Sequence, residues 1–330
     1  MLNLAELDLP IAGMLDEQLD EVVLILERQL ASDLSPVNTL CRHVEQYHGK
    51  RLRPILVLVS GLAARKAGDD AGLTERHRVV AAVVEMIHLA TLVHDDVLDE
   101  AQIRRGAITF NYLRGNETAV MLGDYLISNA FHLCSSLMDA EINLCLGDVT
   151  NTLCAGELLQ LHHRDDLDID ETTYREIVRR KTASLIGECC RLGARVSDAS
   201  PAVRDSMYRY GMTVGIAFQI QDDLLDITGD EAIVGKSLHR DLDSGKVTLP
   251  LIRYLASADP AEARDARRLF AQGRAEKLRL RLIESGAVRD AQQEAQRLIE
   301  QAKSELSVLP AGPARDLLST LADAVITRRF

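Results

Sequence analysis

The hydrophobic pattern of the chain is that of long helices, and one apolar run is especially clear. Residues 79–93 are apolar except for Glu85, His88 and Thr91. A helix that is apolar on all sides is buried for most of its length. The run leads directly into the acidic heptapeptide HDDVLDE at residues 94–100. The pattern therefore predicts a buried helix that ends in a cluster of carboxylates.

A second predicted helix ends in the same way. Helical periodicity extends from about Val203 to Gly229, and its last part has the sequence FQIQDDLLD at residues 218–226. Residues three and four apart on a helix share a face. The side chains of Gln219, Asp222 and Asp226 are therefore predicted to lie along one face, next to a second cluster of carboxylates.

Most of the remaining chain also has helical periodicity. The predicted helices span residues 16–31, 55–63, 119–138, 142–162 and 171–193, with a short helix between Pro36 and Gly49 and further helices after Pro250. No segment alternates polar and apolar residues for long enough to indicate a strand. The predicted fold class is all-α. A length of 330 residues allows one large helical domain or two ordinary ones, and we expect a single domain over residues 1–330.

The first acidic cluster has the chemistry of a metal site. On a helix, Asp95 and Asp99 lie one turn apart on a single face, with Asp96 about 100° round from Asp95. Carboxylates this close repel one another and need a cation. Hard oxygen ligands suit Mg²⁺, which keeps several waters and takes other ligands from a substrate phosphate. Two arginines just beyond, Arg104 and Arg105, could hold the phosphates.

Other Asp-Asp pairs in the chain serve as internal controls. The dipeptide occurs at 69–70, 95–96, 165–166 and 222–223. Only the pairs at 95–96 and 222–223 complete the pattern Asp-Asp-x-x-Asp, and only these two follow long apolar helical runs. One such motif would be weak evidence, whereas two on separate helices form a specific signal.

Several cations and one histidine have two interpretations each. The segment GKRLRP at residues 49–54 has three cations within four residues, which indicates either an anion site or a solvated basic turn. His88 lies seven residues before Asp95 and so on the same helical face, either as a ligand contact or as a satisfied core residue. Lys181, beside Thr182 in an apolar helix, points either to a ligand or out to solvent.

The loop at residues 235–250 is rich in glycine and polar residues. It contains Lys236 and Lys246, and a mobile loop with these lysines could close over a bound phosphate. The histidines and acids at residues 162–170 lack the regular spacing of a metal site.

Composition excludes several classes of function. The formal net charge of −12 argues against a nucleic-acid-binding surface. The six cysteines include no Cys-x-x-Cys pair and are expected to be reduced thiols in a cytosolic protein. The first residues contain no basic segment followed by an apolar core, so no secretory signal is expected. No stretch approaches the roughly 18 uninterrupted apolar residues of a membrane span.

Taken together, these motifs resemble those of the all-trans polyprenyl diphosphate synthases, in the medium- and long-chain branch that includes octaprenyl and solanesyl diphosphate synthases. The resemblance is detailed from Gly49 to about Pro250 and looser beyond. One departure is His48, where the family usually has a second glycine. The matching segments are GKRLRP (49–54), HDDVLDE (94–100), RRG (104–106), GDYL (123–126), RKT (180–182), GxxFQxxDDxxD (215–226) and GKVTLP (245–250).

The resemblance implies a single helical bundle of the isoprenoid synthase type with a central active-site cavity. It implies that Mg²⁺ ions bridging to the diphosphate of an allylic primer are held by Asp95, Asp96, Asp99, Asp222, Asp223 and Asp226. Contacts to that same diphosphate are implied for Arg104, Lys181 and Lys236. The diphosphate of isopentenyl diphosphate is expected at Lys50, Arg53, His88 and Arg105, and the region where the carbocation forms at Thr182 and Gln219.

Other functions share some of these features. A class I terpene cyclase needs no second diphosphate site and usually carries an Asn/Ser/Glu-type second motif, so Lys50, Arg53 and Arg105 favour elongation. A non-catalytic subunit of a two-component synthase is expected to have lost one acidic motif. A plain metal-binding bundle explains the carboxylates but not the clustered cations.

The residues before Asp95 bear on product length. By resemblance, short-chain members of the family place bulky aromatic residues four or five positions before the first aspartate, whereas this chain has Thr91 and Ala90. A product longer than C20, between C30 and C50, is therefore expected, the alternative being a geranylgeranyl or farnesyl diphosphate synthase. The resemblance also implies a homodimer.

Overall fold

Helices account for nearly all the secondary structure of the described residues. The structure is a computed structural model that describes residues 11–44, 47, 49, 51–65, 72–104, 107–229 and 240–327. The first helices are α1 (Ala12–Leu30), α2 (Ser35–Val44), α3 (Leu52–Ala63), α4 (Glu75–Leu98), α5 (Phe110–Arg114), α6 (Asn116–Ser135), α7 (Ala140–His162) and α8 (Glu171–Val178). They are followed by α9 (Ser184–Val196), α10 (Pro201–Thr228), α11 (Arg240–Asp243), α12 (Leu249–Ser257), α13 (Pro260–Ala271), α14 (Ala275–Glu284), α15 (Ala287–Glu305) and α16 (Pro313–Thr327).

Local sequence signals begin the helices that matter for the site. Ser200 caps α10, since its side chain accepts a hydrogen bond from the Val203 backbone N–H, and Pro201 occupies the first turn. Asp170 caps α8 in the same way through Thr173. Thr74 and His77 form a reciprocal capping box at the start of α4. Because these caps satisfy backbone donors that a helix leaves unpaired, they define where each helix starts.

The two acidic helices lie in the interior of the bundle. Helix α10 packs against α9 and α15, and α4 packs against α6, α3 and α9. The apolar run of α4 is buried, with Val80, Val84 and Ile87 among its fully buried side chains. Both helices thus present their acidic C-terminal ends from a rigid core. Within the described ranges, no helix is both long enough and apolar enough to cross a membrane.

Two details differ from the sequence-based predictions. The predicted end of α2 near Gly49 falls where residues 45, 46, 48 and 50 lie outside the described ranges, so it stays a prediction. A two-stranded antiparallel ribbon, β1 (Ile103–Arg104) and β2 (Ala107–Ile108), occurs where no strand was predicted, because two residues are too few to show alternation. The predicted helix 171–193 is interrupted by a π-helical turn at Arg179–Ala183. These differences are local, and the all-α prediction is confirmed.

Candidate active site

The acidic motifs occupy the C-terminal ends of α4 and α10. Helix α4 ends at Leu98, and Asp99 is its C-cap, with its backbone N–H bonded to the Asp95 carbonyl at 2.8 Å. Asp95 and Asp99 therefore keep the predicted one-turn separation. The C-terminal end of a helix carries a partial negative charge, so carboxylates there are unfavourable without a cation. Both helix ends consequently require positive charge from other parts of the protein or from a ligand.

The middle aspartate of the α4 motif is held inside the protein. Asp96 is fully buried, and its Oδ1 accepts a hydrogen bond from Nε of Arg104 at 2.7 Å. Arg104 comes from β1, so the ribbon carries the guanidinium under the end of the helix. Burial raises the pKa of Asp96, and the nearby guanidinium opposes that rise. Arg104 was predicted to contact a diphosphate, and its Nε is already occupied by Asp96.

The middle aspartate of the α10 motif is held by uncharged donors. Asp223 is buried, and its two oxygens accept hydrogen bonds from the Tyr174 hydroxyl at 2.6 Å and from Nε2 of Gln219 at 2.8 Å. Gln219 Oε1 in turn accepts a hydrogen bond from the Thr182 hydroxyl at 2.8 Å. Burial raises the pKa of Asp223 well above its usual range, and the charge of Asp241 adds to the effect.

That all six aspartates hold metal stays a prediction, and these contacts bear on it. Asp96 and Asp223 are buried and accept hydrogen bonds from protein donors, whereas Asp95, Asp99, Asp222 and Asp226 keep part of their surface exposed. Among the described residues, no group of three or more His, Cys, Asp or Glu side chains is placed to hold a metal ion. That arrangement fits Mg²⁺, which binds through one or two carboxylates and completes its shell with water and substrate phosphate.

Lys181 supplies positive charge beside the α4 motif. The π-helical turn that carries it bulges toward α7, where Lys181 Nζ pairs with Glu157 and lies 3.8 Å from Oδ1 of Asp95. Gly156 allows the approach, because a Cβ there would lie 2.7 Å from the Lys181 backbone nitrogen. Burial lowers the pKa of Lys181, but Asp95 and Glu157 outweigh it and raise the pKa overall. The charged side chain of Lys181 is therefore kept in the site by Glu157 and Asp95 and does not extend into solvent.

Lys246 connects the two motifs. Its Nζ lies 3.1 Å from Oδ2 of Asp99 and 3.9 Å from Oδ1 of Asp241. The backbone N–H of Asp241 donates to Oδ2 of Asp226 at 3.2 Å. A path of polar contacts thus runs from the end of α4 to the end of α10. Burial, together with the charge of Asp226, raises the pKa of Asp241 to about 6.

The other predicted residues fall into two groups. Arg53 and His88 are half-buried on α3 and α4, two helices that pack together. On α4, Ala90 is fully buried, while Thr91 is half-buried and its hydroxyl donates to the His88 carbonyl at 2.7 Å. Lys50, Arg105 and Lys236 lie outside the described residues, so what was predicted of them stays a prediction.

Sequence reasoning missed three residues of this site, namely Glu157, Tyr174 and Asp241. Glu157 interrupts an otherwise apolar part of α7, which was a usable signal for a functional acid. Tyr174 belongs to the buried face of α8 and lies 49 residues from Asp223, so no local pattern connects them. Asp241 lies between Lys236 and Lys246 in a polar stretch that contains other acids, so its sequence context does not distinguish it.

Comparison with known proteins gives a consistent result over nearly the whole chain. The family model described as "Polyprenyl synthetase" matches residues 35–283. The octaprenyl diphosphate synthase of Escherichia coli (strain K12) is 35% identical over 308 residues, which are 92% of this chain and 93% of that protein. A geranylgeranyl pyrophosphate synthase of Geoglobus acetivorans is 35% identical over 298 residues, 87% of this chain and 89% of that protein.

A solved structure is similar in three dimensions as well. The polyprenyl synthase of Caulobacter crescentus CB15, complexed with calcium and isoprenyl diphosphate, superposes with a TM-score of 0.90 at 31% sequence identity. The match covers 97% of each chain. The fold of this chain is therefore one that solved structures share.

Proposed function

Because this chain belongs to the polyprenyl synthetase family and is a prenyltransferase with the isoprenoid synthase fold, we propose that it is an Mg²⁺-dependent synthase of long all-trans products. It extends an allylic diphosphate by successive condensation with isopentenyl diphosphate, to a product between C30 and C50. The observation that carries the proposal is that two partly buried lysines approach the α4 carboxylates and that Lys246 is linked through Asp241 to Asp226 of the α10 motif. Lys181 approaches Asp95, and Lys246 approaches Asp99.

The four outer carboxylates are the proposed ligands of Mg²⁺, which when bound supplies Lewis-acid stabilisation of the leaving diphosphate. The chain's own cations act on the same group. When the allylic C–O bond breaks, negative charge grows on the diphosphate, and Lys181 and Lys246 are held where they stabilise it. Arg104 joins them through its terminal nitrogens, since its Nε is bound to Asp96. The proposed ligands are Asp95, Asp99, Asp222 and Asp226.

The second substrate reacts with the allylic cation that results. The double bond of isopentenyl diphosphate forms the new carbon–carbon bond, and the proton then leaves to the departed diphosphate. The hydroxyl of Thr182 and the amide of Gln219 are fixed by each other and by Asp223, so their dipoles line the cation without reorganising. A separate cationic set positions isopentenyl diphosphate in this proposal, consisting of Lys50, Arg53, His88 and Arg105.

Product length follows from the helix that carries the first motif. With the diphosphate bound at Asp95 and Asp99, the growing tail runs along α4 toward its N-terminus. Thr91 lies about 6 Å below Asp95, and Val84 about 16 Å below it, by helical rise. Ala90 and Thr91 are small, and the apolar side chains beyond them keep water from the cation. Bulky side chains at positions 90 and 91, in the turn of α4 before Asp95, would instead favour a farnesyl or geranylgeranyl product.

The proposed assembly is a homodimer of single-domain chains. Helices α6 and α7 pack together and expose large apolar side chains at Val120, Met121, Leu144 and Leu158, each at least 41% accessible. Apolar groups exposed on adjacent helices indicate a protein interface. We expect light scattering to give twice the chain mass, and Met121→Glu to shift it toward the monomer. A monomeric wild-type protein would contradict this assembly.

Product analysis tests the proposed reaction. Purified protein is incubated with Mg²⁺, farnesyl diphosphate and isopentenyl diphosphate, and the products are weighed by mass spectrometry. We expect a series of masses separated by one five-carbon unit and ending between C30 and C50. A parallel incubation without isopentenyl diphosphate should yield no hydrocarbon, whereas a cyclase would consume the allylic substrate alone. A final product of C20 or shorter would contradict the long-chain assignment.

A further inference from the structure

The segment between α7 and α8, residues 163–170, contacts the site at a point that the proposed reaction has not used. The backbone N–H of Asp165 donates to the carbonyl of Gly245 at 2.8 Å, next to Lys246. Asp165 and Gly245 both adopt positive φ, at 63° and 74°. A Cβ at Gly245 would overlap the Asp165 carboxylate. The two segments therefore fit each other closely and are joined through their backbones.

This joint brings a further cation to the α4 motif. Nη2 of Arg164 lies 4.0 Å from Oδ1 of Asp99, while Lys246 Nζ lies 3.1 Å from Oδ2 of the same carboxylate. The side chain of Arg164 is 35% exposed, so it is also accessible from solvent. Among the described residues, Asp99 is the carboxylate that Arg164 approaches.

The two cations have different geometries and therefore different uses. An ammonium is a compact point charge, whereas a guanidinium offers a planar fork that matches phosphate oxygens in a bidentate way. Asp99 is a proposed metal ligand, and a divalent ion there would compete with Arg164 and Lys246 for the carboxylate. If the metal displaced Arg164 and Lys246 from the Asp99 carboxylate, the two side chains would still lie within one side-chain length of that carboxylate. A diphosphate that binds the metal would meet them there.

We propose that Arg164 binds the diphosphate of the allylic substrate, together with Lys246, and that the Asp165–Gly245 joint positions the two as a pair. This inference rests on the proposed function, since it assumes that the site takes an allylic diphosphate. It adds a contact from the α7–α8 segment to a site otherwise supplied by the acidic helices, the π-helical turn, the ribbon and the segment that carries Lys246.

Direct binding tests the inference apart from turnover. The unreactive S-thiolo analogue of farnesyl diphosphate is titrated calorimetrically into the enzyme with saturating Mg²⁺. Arg164→Gln should raise Kd about tenfold, which is the loss of a charge-assisted contact. Arg164→Lys should recover part of the affinity, because it restores the charge without the fork. The KM for isopentenyl diphosphate should stay unchanged.

A matched control removes an arginine that pairs with the same segment from a different helix. Arg267 on α13 pairs with Asp168 at 2.7 Å and is not part of the site. Arg267→Gln should leave Kd for the analogue unchanged. Gly245→Ala should weaken binding as Arg164→Gln does, because the added methyl separates the two segments.

The outcomes separate this inference from the proposed function. If the wild-type protein binds the analogue and elongates its primer while Arg164→Gln binds with wild-type affinity, Arg164 has no role in binding the diphosphate. The inference is also wrong if Arg267→Gln weakens binding as much as Arg164→Gln. A wild-type protein that neither binds nor elongates the primer overturns the proposed function itself.

Discussion

The acidic motifs of α4 and α10 have the same pattern of aspartates but hold the middle one differently. In α4, Asp96 is paired with the guanidinium of Arg104. In α10, Asp223 accepts hydrogen bonds from the uncharged Tyr174 and Gln219. The outer aspartates of both motifs remain partly exposed. The middle position is thus a buried anchor in each motif, and the outer positions are left for ligands.

The difference shows what each anchor requires. Arg104 has only donors, so the α4 anchor needs an anion, and an amide would leave part of the guanidinium unsatisfied. Around Asp223, every partner can reverse its role, because Gln219 can flip and the hydroxyls of Tyr174 and Thr182 can either donate or accept. The α10 anchor therefore requires a side chain at position 223 that can form hydrogen bonds, and the negative charge matters less.

The largest expected effect distinguishes outer from middle aspartates. Asp95→Ala or Asp222→Ala should lower kcat/KM by at least about a thousandfold at saturating Mg²⁺, since each removes stabilisation of charge that develops in the transition state. Steady-state kinetics measures the effect, and thermal unfolding without metal should be nearly unchanged. Near-normal activity in either variant would remove the basis for assigning the metal site.

The second test concerns the residues just before each motif. Four residues before the first aspartate, the α4 motif has the small Thr91, whereas the α10 motif has the bulky Phe218. Ala90→Phe should shorten the product toward C15 or C20 and leave the first condensation intact, because the aromatic ring blocks the path beside α4. Mass spectrometry of the product series measures it, and overpacking should cost about 1–3 kcal/mol of stability. A product series unmoved by both Ala90→Phe and Thr91→Phe would mean that the tail takes another path.

The third test compares the two anchors directly in the metal-free protein. Asp96→Asn should lower the free energy of unfolding by about 1–3 kcal/mol, because it leaves a largely buried guanidinium without its anion. Asp223→Asn should cost less than about 1 kcal/mol, since its neighbours can exchange donor and acceptor roles. Urea unfolding in chelator measures both. The double variant Asp96→Asn/Arg104→Gln is the control and should recover part of the loss, and equal costs for the two single variants would contradict the comparison.

The smallest expected effect is a pH dependence of the α10 anchor. The pKa of Asp223 is raised by burial in the folded state, so the folded protein holds that proton more tightly than the unfolded chain. Its contribution to stability is complete below the unfolded pKa and is lost as pH rises through the folded pKa. Asp223→Asn lacks this loss. The stability of the variant relative to wild type should therefore rise between pH 4 and pH 7 in urea unfolding, and a relative decrease would show that the sign is wrong.

Strong periodicity made the acidic helices predictable. The segment 203–229 corresponds to α10 at Pro201–Thr228, and the buried run 79–93 lies inside α4. The outer aspartates and Lys181 could also be selected as candidates from the sequence, because their chemistry is unusual inside apolar helices, and their roles stay predictions. The anchors were not, since the pairs Asp96–Arg104 and Asp223–Tyr174 depend on a two-residue strand and on a contact across the bundle. The spacing of aspartates in the sequence does not distinguish a carboxylate that binds a ligand from one that forms hydrogen bonds within the protein.

The π-helical turn at Arg179–Ala183 has a consequence for how this enzyme tolerates insertions and deletions. An extra residue in a helical turn shifts everything before it by about 100° relative to everything after it. Removing one residue from the turn would restore a regular α-helix, but Lys181 and the buried face of α9 could no longer both keep their directions. The extra residue in the turn therefore lets the direction of Lys181 and the direction of the buried face of α9 be set independently of each other. Length changes should therefore be far less tolerated between α8 and α9 than in the surface connections of the chain.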